Sequence, residues 1–156
     1  MILISDQDLV IASILIGFIV ILVILLTSKR EDREPEKFGV ESITERGETV
    51  RSIAEKLIAD YFHEHRVEYE YEPDVSSVGR ADFYLPEYDV YVEYWGLIDA
   101  DDELLRRRYV RSMKQKMASY YRNDLKFISI YPRNMDNLDW IFRTKFRDAT
   151  GFDLPN

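Results

Sequence analysis

Cysteine is absent from this chain and histidine nearly so, with two in 156 residues. The first absence excludes disulfide scaffolds, thiolate metal sites and cysteine nucleophiles. The histidines, His63 and His65, sit together in a Phe-His-Glu-His-Arg run at the end of one expected helix, a pattern that suits solvated helix-end residues better than a zinc cage. The ligands left are carboxylates, which match hard, oxygen-seeking ions such as Mg2+ or Mn2+. No internal repeat or low-complexity tract is present.

Charge is missing from Leu9 to Leu26, a run of Ile, Leu and Val, and Lys and Arg are missing from the eight residues before it. The run is long enough to cross a bilayer as a helix. It lacks the basic flank and the small-residue cleavage site of a secretory signal. Lys29, Arg30 and Arg33 follow it, so the positive-inside rule sets the remainder of the chain in the cytoplasm. The expected layout is a short extracytoplasmic N-terminus over 1–8, a transmembrane helix over 9–27, a charged linker over 28–47 and one domain over 48–156.

The net charge of −8 argues against a general nucleic-acid binder. Its distribution argues the other way. Arg106, Arg107, Arg108, Arg111, Lys114 and Lys116 follow one another with no acid among them. Such a run is either an electrostatic footprint for phosphates or a solvated helix face.

Apolar residues recur with helical period from Thr49 to about His65, from Glu103 to about Tyr121 and from about Met135 to Ala149. Val67–Tyr71 and Leu125–Tyr131 read as strands, the second ended by Pro132. Between them, Arg80 to Gly96 reads as two alternating runs joined by a turn at Pro86-Glu87-Tyr88-Asp89. Pairing Leu85 with Val90 sets Phe83 opposite Val92 and Asp82 opposite Glu93. Ala81, Phe83, Leu85, Val90, Val92 and Tyr94 then form one face, and Asp82 and Glu93 share the other with Tyr84, Tyr91 and Trp95. Those aromatics serve either as core or as stacking surfaces for a splayed base. Like charges facing each other in a sheet destabilise it by up to roughly 1 kcal/mol, so a pair placed there is expected to hold a cation. The order helix, three strands, helix, strand, helix predicts an α/β domain with helices packed on a mixed sheet.

Two further residues belong with that pair. Glu55 lies at the edge of the apolar stripe of the first helix, placed as a third acid or a base. Lys116 lies seven residues from Tyr109, three from Met113 and four from Tyr120, on the bulky side of its helix. A lysine there must reach outward or meet a negative partner.

With these pieces in place the chain resembles the PD-(D/E)xK, restriction endonuclease-like nuclease superfamily, in its helicase-appended and stand-alone branch. The resemblance covers roughly Val50 to Phe146. It rests on Ala54-Glu55-Lys56-Leu57-Ile58-Ala59, Tyr69-Glu70-Tyr71-Glu72, Ala81-Asp82-Phe83-Tyr84-Leu85-Pro86, Val90-Tyr91-Val92-Glu93-Tyr94-Trp95-Gly96 and the spacing of Tyr109, Met113 and Lys116. Ala81 replaces the proline of that motif, and Trp95 stands where the strand lysine would be. The resemblance implies an αβββαβ core with a C-terminal helix and metal-dependent phosphodiester cleavage. By motif, Asp82, Glu93 and Glu55 would bind Mg2+ or Mn2+, and Lys116 would be the catalytic lysine moved to the following helix. Arg106, Arg107, Arg111 and Lys114 would hold backbone phosphates. The function implied is a membrane-anchored nuclease, acting on DNA rather than RNA and open to pairing as a homodimer. Two alternatives stand beside it: a nuclease-like module that binds nucleic acid or protein without cutting, and a membrane adaptor whose carboxylate pair is coincidental.

Overall fold

The structure, a computed structural model, describes Gly17 and residues 39–155. A short hairpin opens them, β1 (Ser42–Ile43) with β2 (Thr49–Val50). Helix α1 follows (Ile53–Glu64), then β3 (Glu70–Tyr71) and a second small hairpin of β4 (Asp74–Val75) and β5 (Gly79–Arg80). Next come β6 (Phe83–Leu85), β7 (Val90–Tyr94), α2 (Glu103–Arg122), β8 (Phe127–Ile130), a 3-10 turn (Pro132–Asn137) and α3 (Leu138–Thr150). The chain divides into two units, Met1–Lys37 and Phe38–Asn156, and all of these elements belong to the second. The expected linker over 28–47 therefore overlaps ordered structure, since β1 lies inside it. The expected membrane segment over 9–27 lies outside the described residues, Gly17 apart. Among the described residues no helix is long and apolar enough to cross a membrane.

The fold is mixed α/β. Four strands form the main sheet in the order β3-β6-β7-β8. The β6–β7 hairpin has the expected register, with Leu85 opposite Val90, Tyr84 opposite Tyr91 and Phe83 opposite Val92. β8 joins β7 in parallel, Glu93 facing Ser129. A parallel neighbour requires a crossover, and α2 supplies it. Two boundaries differ from the periodic reading. Residues 49–50 are strand, and α1 starts only after Ser52, whose hydroxyl accepts from the Glu55 N–H at 3.1 Å as an N-cap. Pro132 does not simply end β8; it opens the 3-10 turn that delays α3 to Leu138. Gly151, at φ 80°, closes α3 in the left-handed conformation.

One face of the sheet carries the core. Phe83, Leu85, Val90, Val92, Ile128 and Ile130 are buried against Ile58 and Phe62 of α1 and Phe142 and Phe146 of α3. The Phe62 ring lies 5.5 Å from Phe83 edge-on and 5.2 Å from Phe142, within the range where aromatic pairs add to simple burial. The other face meets α2. There Tyr120 stacks on Phe127 at 4.5 Å and approaches Tyr91 at 5.5 Å. Glu93 stands among these rings, 1% exposed.

Candidate active site

The site is assembled where the start of β6, the end of β7, the N-terminus of α1 and the middle of α2 meet. Asp82 does not sit in the ladder as a cross-strand partner of Glu93. The backbone bends at Asp82 just before β6, and its Oδ2 accepts from the Tyr94 N–H at 2.7 Å. The carboxylate therefore ties down the end of β7 while remaining beside Glu93. Burial, followed by the neighbouring Glu93 charge, raises the Asp82 carboxyl to about 7. Burial raises the Glu93 carboxyl as well, against the pull of Lys116.

Glu93 is fully committed. Its Oε2 accepts from Lys116 Nζ at 2.7 Å and its Oε1 from the Tyr120 hydroxyl at 2.5 Å. Lys116 also donates to the Arg80 carbonyl at 2.6 Å and lies 5.7 Å from the Trp95 ring centre. The lysine placed by spacing on the bulky side of its helix thus reaches the acids. The Tyr120 hydroxyl is held protonated by burial and by Glu93.

Glu55 adjoins the group through different contacts. Its Oε2 accepts from the Tyr71 hydroxyl at 2.7 Å and from the Arg51 N–H at 2.9 Å. With the Ser52 cap this is close to a capping box, the carboxylate reaching one residue further out than usual. The Ser-x-x-Glu spacing of Ser52 and Glu55 was the signal for that role. Glu55 therefore does structural work at the head of α1 as well as facing Asp82.

Arg51 was not singled out by the sequence reading, and it links three acids. Its guanidinium Nε pairs with Glu72 and a terminal nitrogen lies 3.4 Å from Asp82 Oδ1, while its backbone N–H is held by Glu55. Glu72 adopts φ 51°, an uncommon conformation for a side chain of its size, and its N–H donates to the Asp82 carbonyl at 2.9 Å. That turn aims Glu72 at Arg51. Arg80 adds a second cation at 3.4 Å from Glu72.

The other expected site residues separate from this group. Arg106, Arg107, Arg111 and Lys114 line one stretch of the α2 surface with Val110 and Gln115. At 100° per residue Arg107, Arg111 and Lys114 point away from the side carrying Tyr109, Met113, Lys116 and Tyr120, whereas half-buried Arg106 lies one heptad before Met113 on that inner side. Arg107 pairs with Glu103 at 2.5 Å, and Arg106 caps the Ala100 carbonyl at 2.8 Å. The stripe does not converge on the acids. Of the aromatics, Trp95 is buried and donates its indole N–H to Ser129 Oγ at 2.9 Å. Tyr84 and Tyr91 pack on each other at 4.7 Å.

The donor set suits a hard cation in kind: Asp82 and Glu93 are neighbouring buried carboxyls that offer oxygen donors. Mg2+ is commonly bound by one or two carboxylates with water completing its shell. Among the described residues no group of three or more acids and histidines is arranged to hold a metal ion. Arg51 and Lys116 supply the positive charge beside the acids instead. No family model, curated protein or solved structure matches the chain.

Proposed function

We propose that the chain is a divalent-metal-dependent nuclease that hydrolyses phosphodiester bonds, in DNA rather than RNA, and that it is tethered to a membrane through residues 9–27. The observation that carries this reading is the convergence of two buried carboxylates, Asp82 and Glu93, with the Lys116 ammonium 2.7 Å from the second. Three separate elements bring these groups together, and burying them carries a desolvation cost that apolar side chains would not.

Asp82 and Glu93 would hold Mg2+ or Mn2+, which supplies positive charge at a scissile phosphate and acidifies water. The chain's own residues do the rest. Lys116 lends a proton donor to the charge that builds on the phosphoryl oxygens, a contribution typically worth about 3 kcal/mol. Arg51, 3.4 Å from Asp82 Oδ1, offers a second such donor. Glu55, held by Tyr71, is the acid next in reach. Tyr120 fixes the orientation of Glu93.

One observation favours a second reading, a nuclease-like module that binds without cutting. Both oxygens of Glu93 and both of Asp82 already have partners within the protein. Cleavage assays separate the two readings. The full-length chain is incubated with plasmid and single-stranded DNA and RNA in Mg2+, Mn2+ or EDTA. The nuclease reading expects metal-dependent cleavage that falls about 10^2–10^3-fold in Lys116→Ala and is lost in Asp82→Ala. Binding without cleavage under every metal condition would leave the second reading.

A further inference from the structure

Of the stripe expected to hold phosphates, Arg107, Arg111 and Lys114 turn away from the acids and Arg106 is taken by the Ala100 carbonyl, so a substrate strand needs other cations beside them. The structure offers a pair one strand further along the sheet. Glu93 faces Ser129 across the parallel β7–β8 ladder, and adjacent strands are about 4.8 Å apart. Ser129 Oγ holds the Trp95 indole, and the Trp95 ring lies beneath Lys116. The next residue on that face, Tyr131, has Lys145 Nζ at 5.2 Å and the Arg133 guanidinium at 5.1 Å from its ring centre.

Several features mark this as a built arrangement. Tyr131 and Arg133 sit on a locked turn: the buried Asn134 accepts from the Tyr131 N–H at 3.0 Å, and its own N–H returns to the Tyr131 carbonyl at 2.8 Å. Lys145 reaches from α3 around the edge of β8 to the Ser129 carbonyl at 2.7 Å. The neighbouring α3 cations are paired, Arg143 with Asp139 and Arg147 with Asp153. Among the described residues Lys145 and Arg133 have no acidic partner. Burial, and then the charge of Arg133, push the Lys145 amine below its ordinary value, as happens to an ammonium short of counter-charge. Lys145, Ser129, Tyr131, Phe127 and the exposed Tyr121 line an open groove of about 390 Å3. Asp148 borders the groove without pairing with either cation.

We propose that Arg133 and Lys145, steadied by Tyr131, form a phosphate subsite that holds a nucleic-acid backbone phosphate next to the one addressed by Asp82 and Glu93. The assignment of nucleic acid as ligand rests on the nuclease reading; the phosphate chemistry is shared with free inorganic phosphate, and the test separates the two sources. Tyr121 stands at the far border of the groove, where an unpaired base could stack.

The experiment is a salt titration of single-stranded DNA binding, with the full chain in EDTA, a fluorescent oligonucleotide and anisotropy as the readout. Each phosphate contact on a single strand contributes about 0.7 to the slope of log affinity against log salt. R133Q/K145Q is expected to lose about tenfold in affinity at low salt and to flatten the slope by about 0.7, the share of the one phosphate the pair holds. Arg66→Gln, which removes one positive charge from an exposed turn, serves as the control and is expected to leave the slope near that of wild type. Lys145→Met is expected to melt no lower than wild type, because its ammonium is held by a single carbonyl, and still to lose affinity. A slope unchanged in the double variant would overturn the subsite. So would a Lys145→Met that melts lower and binds as wild type, which would make Lys145 a cap for the edge of β8. Displacement of the oligonucleotide by millimolar inorganic phosphate in wild type but not in the double variant would support the phosphate chemistry. Binding of inorganic phosphate without any binding of DNA would overturn the nucleic-acid assignment. A flattened slope in a protein that never cleaves would uphold the subsite while removing the nuclease reading.

Discussion

The two faces of the central sheet solve the same packing problem with opposite materials. Under α1 and α3, Phe62, Phe83, Phe142, Val92 and Ile130 are fully buried and make contacts that need no particular partner. Under α2, Glu93 is equally buried but depends on two named donors, Lys116 and Tyr120. Apolar packing is redundant, and a lost contact is shared among neighbours. A buried charge is not, because removing one donor leaves the rest of the ion uncompensated. The first face holds the fold together, and the second keeps a charge buried at the expense of stability.

The strongest way to break that comparison is to make the apolar face fail. Phe62→Ala removes a ring that touches Tyr69, Phe83 and Phe142. The expected loss is about 3–5 kcal/mol, a large share of the roughly 5–15 kcal/mol that small domains possess. Equilibrium denaturation measures it. A loss below about 1 kcal/mol would show that the aromatic cluster is not the main source of stability.

The two faces were also unequally legible in the sequence. The β6–β7 register could be read because a one-residue slip would carry Phe83, Leu85, Val90 and Val92 out of the core. The same alternation placed Asp82 near Glu93, but not the bend that takes Asp82 out of the ladder; a bend leaves no trace in a period of two. Lys116 was legible from helical spacing. The direction of Arg107, Arg111 and Lys114 was legible too, since the same spacing that turns Lys116 inward turns these three outward. Arg51 was hidden: its partners Glu72 and Asp82 lie 21 and 31 residues away (72 − 51 and 82 − 51), and Glu72 reaches it only through a positive φ. β1, β2, β4 and β5 have two residues each, too few to show any period. The late start of α1 had a signal in the Ser52 cap, outweighed by Val50 continuing the helical pattern.

A second test acts on the polar face. In the folded chain Asp82 keeps its proton up to about 7, whereas its ordinary value is 3.8. Between those values the folded state binds more protons than the unfolded state, so stability falls as pH rises through this window and levels off above it. For metal-free protein in EDTA the expected fall from this group is on the order of 4 kcal/mol. Asp82→Asn removes the titrating group and flattens the profile over the same range. Thermal melts of both proteins between about pH 4 and pH 8 measure the difference. Parallel profiles would mean that Arg51 and the Tyr94 N–H already compensate the charge, and that the polar face is no less stable than the apolar one.

The smallest effect is expected where one element serves both faces. Helix α1 sends Ile58 and Phe62 into the core and Glu55 toward the acids, and Ser52 caps its first turn. Ser52→Ala deletes the acceptor for the Glu55 N–H and should cost about 1 kcal/mol. The Glu55 carboxylate keeps its contacts with the Tyr71 hydroxyl and the Arg51 N–H, so its position should hardly change. Denaturation should therefore register the loss, while the pH profile set by Asp82 should keep its midpoint. A shifted midpoint would show that the head of α1 transmits its packing to the acids, and that the two faces are one cooperative unit rather than a scaffold and a site.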